Sequence, residues 1–163
     1  MFRINFHSSH NFNLYNFLLD SYNRHKAFSN AVYLNNGSIS NTCVYFVCEV
    51  LRHNNIKIPK YVANTSQLVA SLQYAGWRKG RDLTNLLPGD ICFTTDPRLN
   101  KNGTPTHAYI FMNWVTEGSF DFAYICDNQA QDYGGNLYHI RNIKNVATVK
   151  GKTKEPLSFF MYK

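Results

Sequence analysis

Cysteine and histidine are the residue types in this sequence that can work together as a nucleophile and its base. Cys43 stands where "NTCVYFVCEVL" passes from small polar residues into an apolar run, so it falls at the start of a helix. A helix N-terminus carries partial positive charge and unpaired N–H groups. Both favour the thiolate, the nucleophilic form of cysteine, and the same N–H groups can hold an oxyanion on an attacked carbonyl. Cys48, further into the helix, has no such electrostatic advantage and reads as core. Of the six histidines, His107 is singled out by position, because it follows the polar loop "PRLNKNGTPT" and opens the long β-type run "HAYIFMNWV". His7 and His10 lie in a polar N-terminal stretch, His25 and His53 at helix ends, and His139 inside a later strand.

A third group follows from hairpin geometry. Thr116-Glu117-Gly118-Ser119 separates the run from His107 to Val115 from "FDFAYICDN", Phe120 to Asn128, and reads as a tight turn. If Thr116 pairs with Ser119, Asn128 falls directly across from His107, and directly opposed residues share a face of the sheet. A loop one residue different puts Asp127 there instead. Either side chain could hold one nitrogen of the imidazole while the other faces the thiol, as the third member of a catalytic triad does.

The elements that must carry these residues come in two blocks. Phe12, Leu14, Tyr15, Leu18, Leu19 and Tyr22 recur at helical spacing and predict a helix over 11–24. Ser29 to Thr42, with Asn35-Asn36-Gly37, reads as turn and loop. A second helix begins between Ser40 and Thr42 and ends near His53 to Asn55, before Pro59; it is apolar on several sides and so buried on several sides. A third is capped by Thr65 or Ser66 and stops at Gly76. Period-2 runs then predict strands at Gly89–Thr95, His107–Val115, Phe120–Asn128, Leu137–Arg141, Val146–Val149 and Leu157–Tyr162. Helices followed by strands imply an α+β fold, one domain of 163 residues with an antiparallel sheet.

The ordered set of Cys43 in "NTCVYFV", "TSQ" at Thr65 to Gln67, "LLPGDICF" at Leu87 to Phe93 and "THAYIFM" at Thr106 to Met112 resembles the NlpC and CHAP branch of papain-like cysteine peptidases. Thr42 stands where those families carry Asp or Gln, and Tyr109 where NlpC members carry Gly. The resemblance implies a papain-like fold, with a buried central helix starting at the nucleophilic Cys43 and packed on an antiparallel sheet. It further implies a cysteine peptidase or amidase that cuts peptidoglycan stem peptides through a thioester, with Cys43, His107 and Asn128 or Asp127 as its site. Tyr33, Asn36 or Thr42, all upstream of the cysteine, would contact the oxyanion or substrate. No metal or cofactor is called for. A papain-like transferase, a hydrolase of a non-wall amide or ester, or a polyanion-binding domain are the competing expectations.

The formal charge of +7 suits anionic partners such as cell-wall polymers. The seventeen Lys and Arg are scattered, and no RRM or KH signature is present, which disfavours nucleic acid. Cys43, Cys48, Cys92 and Cys126 lie in apolar segments without a C-x-x-C pair, unlike a zinc knuckle or a disulfide framework. No apolar run approaches a membrane span and none resembles a signal peptide. The expectation is therefore synthesis in the cytoplasm, with release as a phage lysin or secreted effector if the protein acts on cell walls.

Overall fold

In the computed structural model, which describes residues 3–163, four helices precede a sheet. The helices are α1 (Ser9–Leu19), α2 (Ser21–Leu34), α3 (Cys43–His53) and α4 (Thr65–Tyr74). The strands are β1 (Arg78–Gly80), β2 (Ile91–Thr94), β3 (Ala108–Trp114), β4 (Phe122–Cys126), β5 (Tyr138–Asn142), β6 (Ala147–Val149), β7 (Lys152–Lys154) and β8 (Leu157–Tyr162). Six of them form one antiparallel sheet in the order β1-β8-β2-β3-β4-β5, and β6 pairs with β7 alone. The fold is α+β with an antiparallel sheet, as the block pattern predicts.

The single helix expected over 11–24 is two. Asp20 is extended (φ −86°, ψ 121°), and its carboxylate accepts the N–H of Tyr22 at 2.8 Å, so it ends α1 and caps α2. The segment from Ser29, expected as loop, continues in α2 to Leu34. Only Ala27 and Ala31 are buried on α2. Such small side chains let the helix pack closely on α3 but give almost no apolar periodicity.

The centre of the molecule is α3. Phe46, Val47, Cys48, Val50 and Leu51 are fully buried, each stabilising the fold by roughly 1.5–3 kcal/mol for the larger aliphatic and aromatic side chains. Its buried acid, Glu49, is paired with Arg52 at 2.8 Å. Ala108, Ile110 and Met112 of β3 complete this core from one face of the sheet. Tyr109, Phe111, Ile125 and Phe160 build a second, smaller core on the other face.

The Pro88-Gly89-Asp90 turn feeds β2 in beside β3. Gly89 has φ 86°, and a Cβ there would lie 1.9 Å from the carbonyl oxygen of Asn11, so only glycine lets α1 approach. Among the described residues no helix is long and apolar enough to cross a membrane.

Candidate active site

Cys43 is the first residue of α3, and the residue before it leaves the helix end open. Thr42, the N-cap, does not cap: its hydroxyl donates to the Ile39 carbonyl (2.9 Å) and accepts from the Asn128 amide (3.0 Å). Phe46 is the first to find a helical acceptor, the Thr42 carbonyl at 2.8 Å. The N–H groups of Cys43, Val44 and Tyr45 therefore have no acceptor among the described residues, as expected of an uncapped first turn. Asn41 enters in the left-handed region (φ 57°), a conformation asparagine tolerates. Cys43 is partly exposed, whereas Cys48, Cys92 and Cys126 are buried.

His107 sits immediately before β3. Its N–H donates to Thr94 Oγ1 at 3.0 Å, and that oxygen also bonds Thr106 Oγ1 at 2.7 Å, which fastens the loop to the end of β2. The side chain is 6% exposed. Its Nε2 lies 2.8 Å from Asp127 Oδ2, which leaves Nδ1 for the sulfur of Cys43. Burial opposes ionisation of Cys43, but hydrogen bonding to His107, the charge of that ring and the Ala108 N–H outweigh it, and the thiol titrates below its ordinary value. For His107, burial disfavours the cation, and the bonds to Asp127 and Cys43 overcome it, so the imidazole titrates above its ordinary value. The pair is thus biased toward thiolate and imidazolium.

Asp127, just beyond β4, is fully buried. Burial would neutralise it, yet Oδ2 meets His107, while Oδ1 meets Nε2 of His139 at 2.8 Å and accepts the Gln129 N–H at 2.8 Å. The two imidazoles hold this carboxyl well below the usual carboxylate range.

Asn128 is not opposite His107. A two-residue turn would have brought Phe120 across from Val115, but the Val115 N–H donates to the Phe122 carbonyl (3.0 Å), so the connection is longer. The register shifts again between Phe111 and Asn113, where Met112 is the extra residue. Carried on from the Ile110–Cys126 pair, the register sets Gln129 rather than Asn128 level with His107; Asp127 reaches the imidazole diagonally from just beyond β4, while Asn128 reaches Thr42 instead. Tyr33 is 82% exposed in the last turn of α2, and Asn36 occupies the following turn at φ 55°. Neither side chain hydrogen-bonds Cys43 or His107 among the described residues.

His139 is the residue at this site that sequence reading assigned no part. β5 pairs with β4 so that His139 opposes Ile125 and Tyr138 opposes Cys126, which sets His139 beside Asp127. The alternation of His139 with Arg141 hints at a shared polar face, but the single-turn helix Ala130–Asp132 between the strands hides their register. Among the described residues no group of three or more His, Cys, Asp or Glu is placed to hold a metal ion.

A cleft of about 240 Å³ opens beside this end of α3, between the 39–41 loop, Asn128 and the β6–β7 hairpin. A groove of about 460 Å³ along Lys57, Tyr61 and Tyr74 touches none of the site residues. Cys43, His107 and Asp127 do not line the smaller cleft either; its link to the site is Asn128, which bonds the residue preceding Cys43. A thiol at an open helix end, a buried imidazole and a buried carboxylate can together perform acyl transfer. Comparison with family models, with curated proteins and with solved structures finds no match to this chain.

Proposed function

We propose that this chain is a papain-like cysteine hydrolase of the NlpC and CHAP type that cleaves amide bonds, with peptidoglycan stem peptides as substrate. One observation carries the reading: Cys43 begins a buried helix with its first N–H groups free, beside a buried histidine that a buried aspartate orients at 2.8 Å. The antiparallel sheet packed on α3 supports a papain-like arrangement, and the positive charge supports an anionic surface as the setting.

In the mechanism, the Cys43 thiolate attacks the amide carbon and forms a C–S bond. The carbonyl oxygen takes up negative charge and is held by the Cys43 N–H at the positive end of α3. The His107 imidazolium gives its proton to the amide nitrogen, the C–N bond breaks, and the amine leaves a thioester on Cys43. His107, now neutral, removes a proton from a water molecule that attacks the thioester carbon. The C–S bond breaks, the acid product departs, and thiolate and imidazolium are restored. Asp127 stays ionised throughout and keeps Nδ1 of His107 on the sulfur.

Digestion of purified peptidoglycan tests the reading. The parent is expected to release stem-peptide fragments, and Cys43→Ala to release none while its circular dichroism spectrum is unchanged. Release by Cys43→Ala at the parent rate sinks the proposal. Covalent labelling of Cys43 by an electrophile, with no wall fragments released, would keep the hydrolytic chemistry and move the substrate to another amide or ester.

A further inference from the structure

We infer that His139 is a positioning residue, which fixes the Asp127 carboxylate and so extends the Cys43–His107–Asp127 array by a fourth member. The inference rests on the reading of Cys43 and His107 as a thiolate–imidazolium pair. A carboxylate turns easily about its last torsion, whose energy wells are broad. One bond to His107 therefore does not define its plane, and Gln129 lies on the same short segment as Asp127 and moves with it. His139 comes from a different strand. Its Nε2 is 2.8 Å from Oδ1, on the oxygen His107 does not use.

His139 is itself held firmly. The side chain is 4% exposed, and its ring stacks on Tyr133 with centroids 3.7 Å apart and planes 11° from parallel. Strand pairing places it opposite Ile125, and the Asp127 N–H donates to the Leu137 carbonyl at 3.1 Å, so β5 grips the aspartate by backbone and side chain together. A site that needed only filling would carry an apolar residue, as position 125 does.

Of the other ionisable groups around the array, Tyr109 and Tyr133 keep hydroxyls, and Arg141 its Nε, without a hydrogen-bond partner among the described residues. Tyr109 of β3 lies beneath the Arg141 guanidinium, 5.2 Å from its ring centroid. Arg141 of β5 donates to the Glu155 carbonyl at 2.9 Å and to Gln129 Oε1 at 3.3 Å. Asp132 pairs with Lys152 and Lys154 at 2.9 and 2.8 Å. Cys43 of α3 and Tyr133 complete the surroundings, and the side chains bonded to the Asp127 carboxylate are those of His107 and His139.

The test is the pH dependence of iodoacetamide alkylation at Cys43, read by peptide mass mapping, with Cys43→Ala as the blank. The parent should react well below the pH at which a free thiol does. His139→Phe keeps the stacking surface but removes the donor. It should react about three- to tenfold more slowly at pH 6, the worth of one lost hydrogen bond, with its midpoint moved upward. His139→Gln, whose amide can still donate, should stay within about twofold of the parent. A folded His139→Phe whose profile superimposes on the parent's overturns the inference and leaves the thiolate reading intact. A parent that reacts like an ordinary thiol overturns both. Should His139→Phe fail to fold, nitrogen NMR of the parent decides, because a donor to Asp127 must carry its proton on Nε2 of His139. Absence of that proton between pH 6 and 8 also overturns the inference.

Discussion

Two buried aspartates of the molecule bond histidine, and they look alike but shift in opposite directions. At one, His107 Nε2 lies 2.8 Å from Asp127; at the other, His7 Nδ1 lies 2.9 Å from Asp90, and both carboxyl groups are fully buried. Burial pushes Asp90 up to about 8 against the opposing bond from the Leu87 N–H, and burial also lowers His7. Both shifts favour the neutral forms, a protonated carboxyl against an uncharged imidazole. Asp127 instead receives two imidazoles, and His107 is drawn toward its charged form by the aspartate and the thiol together. A short His–Asp distance is therefore not by itself a sign of reactive machinery. The deciding factor is whether enough charge-capable partners surround the acid to offset its loss of water.

The largest effects should follow from breaking the ionised pair. Asp127→Asn presents an amide nitrogen to at least one imidazole N–H, and activity is expected to fall by about a thousand- to ten-thousand-fold, as when a triad loses its orienting carboxylate. Asp127→Ala leaves two imidazoles without their buried counter-charge, and should also lower stability by roughly 3–5 kcal/mol. The loss should depend on pH in a defined sense. Asp127 is depressed in the folded state, so its contribution is present above its unfolded pKa near 4 and fades as pH falls toward its folded value. His107 is raised, so its contribution is complete below about 6.5 and fades as pH rises through its folded value. Denaturant melts of parent and Asp127→Ala should thus differ most between about pH 4 and 6.5. A gap that is flat with pH would mean that the pair carries no charge.

Sequence alone separates the two pairs only in part. That Cys43 begins a buried helix and His107 opens a strand is legible, because the apolar period changes at each point. The choice between Asn128 and Asp127 is not, since a longer hairpin connection and the extra residue Met112 shift the register in opposite directions, and turn chemistry reports neither. His139 escapes for a similar reason: a single-turn helix of three residues sets its pairing with Ile125. The α2 helix escapes because its buried face is Ala27 and Ala31, and β1 and β7, at three residues each, are too short to show alternation. Asp90 is visible as part of a Pro-Gly-Asp turn, but its partner His7 lies far off in sequence, in a polar stretch without periodic pattern.

Asp90→Asn sharpens the contrast by making the neutral state permanent. Because the folded pKa of Asp90 is raised to about 8, the folded protein holds a proton that the unfolded chain releases above about 4. Parental stability therefore decreases as pH rises through that window, and levels off once Asp90 ionises in both states. The variant has no such loss. Near pH 4 the two proteins should melt within about 1 kcal/mol of each other, and at pH 8.5 the variant should be more stable by a few kcal/mol. His7 titrates in both proteins and cancels in the difference. Parallel stability curves for parent and variant across this range would mean that Asp90 is ionised like Asp127, and the contrast between the pairs would be lost.

The smallest effect should come from His7→Phe. The His7 ring stacks on Tyr162 with centroids 3.9 Å apart, and phenylalanine preserves that contact while giving up the bond to Asp90. Because the bond joins two neutral groups, and Asn11 still reaches Asp90 at 3.3 Å, the cost should be about 1 kcal/mol at pH 7.5. The folded pKa of His7 is lowered, so the unfolded chain takes up its proton first as pH falls below about 6.5, and the parent loses stability there. Phenylalanine cannot titrate, so the difference between the two proteins should shrink toward pH 5, as thermal melts at the two pH values will show. Alkylation of Cys43 should be the same in both. A tenfold drop in that rate in His7→Phe would show that the two pairs are coupled through β2 and β3, and the neutral pair could then no longer be treated as scaffold alone.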